Sequence, residues 1–300
     1  MSWILLSICS ALFLGVYDLL KKSAMRGNAV LPVLFFGVIA GALVWLPLLS
    51  MSRLAPESLP TSWLFVEPAS AREHLLLLFK SVIAASAWVT GYFALKHLPV
   101  SIASPIRATS PVWTILVAVL FLGESPSPGQ WIGMLVILAA FYAFSLVGRL
   151  EGIQFHRDKW VGWMFVSALL SSASALYDKH LLQGAGFSAA TVQCWFSLYL
   201  VVVLAPFYLM WRRGLWLRNE FSWRWSIPLI GLSLLVADFL YFTAIEQEGA
   251  LISVISPVRR ASVVVTFLGG ILLFGEKNWR LKALCIVALM AGVALLNLWR

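Results

Sequence analysis

The sequence predicts an all-α integral membrane protein: ten transmembrane helices, set as two inverted five-helix repeats. Three observations carry that expectation. The first is composition. Its 300 residues are 61% hydrophobic and 12% charged, with a mean hydropathy of +0.90, where soluble domains hold about 45–50% apolar and about 25% charged residues. The second is a series of apolar runs, each near the ~20 residues that a helix needs to cross the hydrocarbon core. The third is a stretch written twice. Ser104 to Glu124 reads SPIRATSPVWTILVAVLFLGE, and Ser256 to Glu276 reads SPVRRASVVVTFLGGILLFGE. At a constant offset of 152, ten of 21 positions are identical: Ser104, Pro105, Arg107, Ser110, Val112, Thr114, Leu116, Leu120, Gly123 and Glu124, each with its counterpart. Unrelated apolar segments share leucines and valines, but not Pro, Arg, Thr, Gly and Glu in register. The chain is internally duplicated.

Runs bounded by charge, Pro or Gly place the helices near 3–20, 30–50, 74–95, 100–122, 130–148, 161–182, 190–211, 225–245, 250–274 and 281–299. Lipid offers the backbone no hydrogen-bond partners, so such runs are read as helices; the alternation of a barrel strand is absent. The first run, MSWILLSICSALFLGVYDLL, has no basic n-region and no small-residue cleavage site, and reads as a span rather than a cleaved signal peptide. The longest connection, Met51 to Arg72, sets Pro56, Pro60 and Pro68 around Trp63-Leu64-Phe65 and reads as a loop with an interfacial aromatic dip. The densest polar stretch near the middle, Arg149 to Trp160, links the halves. The expected division is therefore 1–148 and 161–300, joined by 149–160, within a single membrane domain.

Smaller signals fill in this frame. Gly37-xxx-Gly41, Gly129-xxx-Gly133 and Ala288-xxx-Gly292 read as helix-packing faces. Trp3, Trp45, Trp131, Trp160, Trp211, Trp225, Trp279 and Trp299 lie near helix ends, as an aromatic belt requires. Glu124 and Glu276 precede the next helix, where a carboxylate suits the positive N-terminal dipole. Cys9, Cys194 and Cys285 fall inside apolar runs and read as buried small residues.

Five helices per half is an odd number, so the second half enters the membrane upside down. Inverted repeats with polar groups at their interface are the signature of secondary transporters. Gly15-Val-Tyr-Asp is echoed by Ala175-Leu-Tyr-Asp at an offset of 160, so loop lengths have drifted. Helices 4 and 9 end in Leu122-Gly123-Glu124 and Phe274-Gly275-Glu276, with a Ser-Pro about 18 residues earlier and a last small-residue-rich helix following. This pattern resembles the EamA-type repeat of the drug/metabolite transporter superfamily over nearly the whole chain. The resemblance implies a ten-helix bundle with a central cavity that works by alternating access. The chain departs from that pattern two residues after each proline, where a usually apolar position holds Arg107 and Arg259.

Those arginines are the leading candidates for chemistry. They sit roughly 10–14 Å deep at ~1.5 Å per residue, where arginine costs about 2.5–3.5 kcal/mol or more and needs a cavity, a partner or a route to the headgroups. Their symmetry, and the prolines two residues before, favour a cavity lined by freed backbone groups. A guanidinium best matches carboxylate or phosphate, and Arg260 adds a further charge to the second copy. Paired cations on helices 4 and 9 also loosely resemble the plastid sugar-phosphate translocators.

Asp238, in mid-helix 8, must be protonated, paired or wet; it reads as a partner of Arg259 or Arg260, or as a coupling carboxylate. Trp88, Tyr92 and Tyr241 complete the candidate substrate site, with packing as their plainer role. Tyr17, Asp18, Lys21, Tyr177 and Asp178 read as a gate or rim, or as interfacial ion pairs: Asp18 has Lys21 and Lys22 at helical spacing, and Asp178 precedes Lys179.

Other chemistries lack their residues. His74, His97, His156 and His180 have no paired spacing for a metal, and no HExxH, GxSxG or phosphate-cradling Gly loop occurs. The net charge of +9 reads as loop charge, not a nucleic-acid surface. With a cytoplasmic N-terminus, Arg53, Arg72, Lys80, Lys179 and Arg300 would be cytoplasmic and 14 basic residues would lie opposite. The positive-inside rule therefore places both termini outside, whereas the resemblance implies cytoplasmic termini.

The expected function is secondary active transport of a small polar anion, bearing carboxylate or phosphate, in the bacterial inner membrane. No cofactor is expected, and coupling to protons or to a counter-substrate is left open. The partners are the substrate and the lipid bilayer, with no nucleic acid, and the protein is a monomer or homodimer. Alternatives are export of amino acids or other zwitterionic or cationic metabolites, a flippase for an anionic lipid headgroup, and a membrane scaffold.

Overall fold

The computed structural model describes residues 2–97, 106–107, 109–146, 159–215, 219–274 and 279–298. Ser104, Pro105, His156, Gly275, Glu276, Trp299 and most of the expected connector lie outside the described residues.

Helix α1 (Trp3–Met25) starts where the Ser2 hydroxyl accepts from the Leu5 amide at 3.4 Å, the usual way of satisfying a free first-turn donor. It is followed by α2 (Val30–Leu54), α3 (Ala71–His97), α4 (Ser110–Phe121) and α5 (Pro128–Leu146). Then come α6 (Lys159–Lys179), extended by a π turn at His180–Gly184, and α7 (Ala189–Arg212), capped by Ser188. Helix α8 (Ser226–Glu246) precedes a ninth span in two pieces, α9a (Ile252–Arg259) and α9b (Ser262–Phe274), and α10 (Trp279–Leu298) is last. Among the described residues, six helices (α1, α2, α3, α6 with its π turn, α7 and α8) are long and apolar enough to cross a bilayer, and α4, α5 and α10 hold shorter apolar segments. Leu43, Leu120, Phe121, Val202, Leu272 and Val287 point outward. Such a surface is costly in water and matched by acyl chains. The protein is a multi-pass integral membrane protein.

The helices pair in a pattern that survives exchanging α1–α5 for α6–α10. The α1–α8 contact maps onto α6–α3, α2–α8 onto α7–α3, and α1–α9b onto α6–α4, while α2–α7 and α5–α10 map onto themselves. Close approach is bought by small residues. A Cβ on Gly231 of α8 would overlap the Gly37 carbonyl of α2, and one on Gly292 of α10 would stand 2.9 Å from the Gly133 carbonyl of α5. The small-residue faces read from the sequence thus lie between helices.

Three details differ from expectation. Spans 4 and 9 are interrupted, and the interruption follows the arginines instead of falling at the prolines. In span 9 the Ala261 amide bonds to the Val258 carbonyl at 2.9 Å and Val264 to Ala261 at 2.9 Å; in span 4 Thr109 bonds to Ile106 at 3.1 Å and Val112 to Thr109 at 3.0 Å. These are the same two tight turns at the same offset of 152. In the first copy Pro111 has no amide to offer the Arg107 carbonyl; in the second the turn forms with Val263 in that place. Trp45, expected in an aromatic belt, is 1% exposed and packs with Val66 and Cys194 beneath the long connection. That connection carries two short 3₁₀ turns and docks through Arg53, which donates to the carbonyls of Val66 at 2.9 Å and Glu67 at 3.0 Å. Of the cysteines, Cys194 is buried and Cys9 and Cys285 are partly so.

Gly231→Ala should destabilise the detergent-solubilised protein by about 1–3 kcal/mol through overpacking, read as a lower thermal midpoint. Gly162→Ala, where an added Cβ meets nothing within 4 Å, should leave the midpoint within error.

Candidate functional site

The site is assembled from buried and half-buried charges drawn from several helices and the breaks between them. On α9a, Arg259 is the last helical residue, where a cation suits the negative end of the dipole. Its Nη2 donates to Asp238 Oδ1 of α8 at 2.7 Å, and its guanidinium carbon lies 4.0 Å from the centre of the Tyr241 ring. Arg260 occupies the turn between α9a and α9b. Its Nη2 reaches Ser110 Oγ at 3.5 Å, at the N-terminus of α4, and Ser110 Oγ in turn meets Ser172 Oγ of α6 at 3.1 Å. Arg107 stands at the equivalent break of the first copy, half-buried, and its charge bears on Arg260 and on Tyr17. The duplicated arginines therefore converge.

Beside them lies a second ion pair. Lys80 Nζ of α3 is 2.6 Å from Asp178 Oδ1 of α6 and donates to Ser174 Oγ at 2.6 Å. The two side chains are 4% and 3% exposed, against 18% and 10% for Arg259 and Asp238. Asp178 had been expected to pair with its neighbour Lys179 near an interface. Instead Lys179 turns to Glu124, 2.6 Å away, because successive residues of a helix point about 100° apart.

Glu124 was expected to suit the dipole of the helix that follows it. It caps α9a instead, accepting from the amides of Ile252 at 2.8 Å and Ser253 at 3.0 Å and from the Ser253 hydroxyl. The end of span 4 thereby fixes the short helix whose other end carries Arg259.

The remaining candidates divide. Tyr17 and Tyr92 are buried with their hydroxyls 3.2 Å apart. Lys21 Nζ lies 4.5 Å from the Tyr92 ring centre and 5.2 Å from that of Tyr17, with Asp18 at 3.9 Å. With Trp88 these tyrosines line a narrow cleft closed by Gly37 and Gly231. Tyr177 is not brought to this group. It packs on Phe79 and reaches the Leu76 carbonyl at 3.3 Å, so the echoed Tyr-Asp of helices 1 and 6 lands in two unlike environments. Lys80 escaped the sequence reading, having been counted as a loop charge. A lone lysine in Leu75-Leu-Leu-Leu-Phe-Lys-Ser-Val-Ile was the signal that could have found it. Among the described residues no group of three or more His, Cys, Asp or Glu could hold a metal ion.

The chain resembles known membrane transporters in sequence. Residues 1–146 match the EamA-like transporter family. The chain is 27% identical over 140 residues to the pseudopaline exporter of Pseudomonas aeruginosa, an alignment covering 46% of this chain and 45% of the exporter. It is 30% identical over 210 residues to a riboflavin transporter of Rhizobium johnstonii, covering 67% of this chain and 62% of that protein. The chain thus spans about half to two-thirds of the length of the relatives it matches. A solved structure, described only as the crystal structure of a protein, superposes at a TM-score of 0.74 with 14% identity over 99% of both chains, a likeness of fold. By these matches the chain is similar to the EamA-like transporters, most directly over residues 1–146.

Glu124→Ala should remove the α9a cap and leave Lys179 unpaired. A loss of about 3 kcal/mol is expected from breaking such a pair, measured as a fall in thermal midpoint, with Glu124→Asp recovering only part of it.

Proposed function

We propose that the protein is a secondary active transporter of a small anionic metabolite, bearing carboxylate or phosphate, and that Arg107, Arg259 and Arg260 bind the anion. One observation carries this reading. Lys21, Lys80, Lys179 and Arg259 each have a carboxylate partner within 4 Å, whereas Arg107 and Arg260 have none among the described residues. Uncompensated charge in a low-dielectric interior is costly, and an incoming anion offsets it. The N-termini of α4 and α9b lie at the same two breaks and add their positive dipole ends. Asp238 then acts as the resident counter-ion of Arg259, which an anionic substrate displaces in part. Tyr241, stacked on Arg259, keeps that guanidinium oriented.

Alternating access would move the two five-helix units, 1–148 and 161–300, about this centre, with 149–160 as the connector. The bacterial relatives support the inner membrane as its place. Removing the paired Lys80 and Lys179 from one set of loop charges and Lys21 from the other leaves 3 against 13, which supports termini outside. A second reading, zwitterionic cargo, is favoured by Lys21 lying over Tyr17 and Tyr92 beside Asp18: a substrate amine could take the place of that ammonium.

The test is thermal stabilisation of the purified protein by inorganic phosphate, glycerol 3-phosphate, succinate, glutamate and choline. A ligand at a hundred times its Kd adds about 2.7 kcal/mol. Stabilisation by the first three that is lost in Arg260→Gln is the expected outcome, since that substitution breaks no ion pair. Glutamate alone would favour the zwitterion, and choline alone would overturn both readings.

A further inference from the structure

The two buried ion pairs differ in how their carboxylates are placed. In either pair the carboxylate can take a proton while its cation keeps its charge, but Asp238 is bound to Arg259 of the proposed anion centre, whereas Asp178 is held by Lys80 and not by one of the arginines. When the Asp178 carboxylate takes a proton, the lysine keeps its charge and its other hydrogen bond, here to Ser174 at 2.6 Å. Exposure separates the pairs as well. The side chains of Arg259 and Asp238 are 18% and 10% exposed, while those of Lys80 and Asp178 are 4% and 3% exposed.

Asp178 nevertheless communicates with the arginine centre. The groups facing it are Lys80 on α3, Tyr241 and Asp238 on α8 and Arg259 on α9a, each close enough for its charge or hydroxyl to bear on the carboxyl. On its own helix, Lys179 is already held by Glu124, and the His180 ring lies against Tyr177 at 5.7 Å.

We propose that Asp178, held against Lys80 beside the arginine centre, is the protonation site that couples anion transport to a proton. The proposal rests on the anion reading and extends it. With the substrate away, Asp238 neutralises Arg259 and Asp178 neutralises Lys80. When an anion engages the arginines, the shared guanidinium no longer screens Asp238 from Asp178, and two carboxylates plus the substrate crowd one site. A proton moving onto the Asp178 carboxylate gives a neutral carboxyl, leaves Lys80 as the ammonium, and adds one positive charge for one negative charge of cargo. Release of either makes release of the other easier. The substrate and the proton occupy different carboxylates, so their sites separate by mutation.

Infrared difference spectra of the purified protein between about pH 5 and about pH 8 read the carboxyl directly, since a buried acid that titrates there contributes a protonated C=O band. The band is expected in the wild type, kept in Asp238→Asn and lost in Asp178→Asn. Because Asp178→Asn strands Lys80, the volume-matched double variant Lys80→Met/Asp178→Leu is examined too; apolar replacement of a buried pair is commonly tolerated, and it should lack the band as well. A band that survives both substitutions, or no band in the wild type, overturns the proposal. At fixed pH the band should also grow on adding whichever of phosphate, glycerol 3-phosphate or succinate stabilises the fold. A band indifferent to a stabilising anion makes Asp178 a structural acid and sinks the coupling. If no anion stabilises the protein, it is the arginine reading that has failed, and the band still decides whether Asp178 takes a proton.

Discussion

A charge placed in hydrocarbon must find a partner, and most of this structure's internal arrangement follows from that constraint. Among the described residues, four cation–carboxylate pairs join helices or neighbouring turns: Lys80 to Asp178 across α3 and α6, Arg259 to Asp238 across α9a and α8, Lys179 to Glu124 across α6 and the end of α4, and Lys21 to Asp18 within α1. Buried pairs of this kind add little net stability over apolar packing, yet they are costly to break. Their effect is therefore to select one set of helix contacts. The bundle supplies the apolar packing around them, and the ion pairs fix which helix faces which.

The broken spans are where that selection becomes chemistry. A continuous helix satisfies its own backbone and presents nothing but side chains. At the paired turns near Thr109 and Ala261 the two copies of the repeat instead offer helix ends, and it is there that Arg107 and Arg260 stand without a carboxylate partner among the described residues. Glu124 extends the same logic. By capping α9a from the other half of the chain, it ties the position of the arginines to the contact between halves. Any motion that separates Glu124 from Ser253 must also move Arg259 and Arg260, which lie one short helix away. Under the proposed anion reading, binding and closure would be joined through these eight residues.

Much of the fold was legible in the sequence, because hydropathy and a two-copy register are long-range signals that need no knowledge of packing. The arginines were legible for the same reason: they interrupt apolar runs at matched positions. What escaped was partner choice. Asp178 sits next to Lys179 in sequence but points elsewhere, so adjacency suggested the wrong pair. Lys80 was taken for a loop charge because a lysine six residues into a span has a stem long enough to reach water. Nothing local distinguishes that case from burial; only the carboxylate on α6 does. Glu124 is similar, since its true partner is 128 residues away. Tyr177 shows the reverse case, in which a repeated motif places its two tyrosines in unlike surroundings.

The central claim is that the arginine centre carries positive charge, with no carboxylate partner for Arg107 or Arg260 among the described residues, for an anion to neutralise. Currents on a solid-supported membrane, recorded from proteoliposomes during rapid jumps of phosphate or succinate concentration, test it most directly. The account predicts a saturable transient current in the wild type whose sign is that of anion entry, and its absence in Arg260→Gln. An undiminished current in Arg260→Gln, or currents evoked by choline and not by anions, would contradict it.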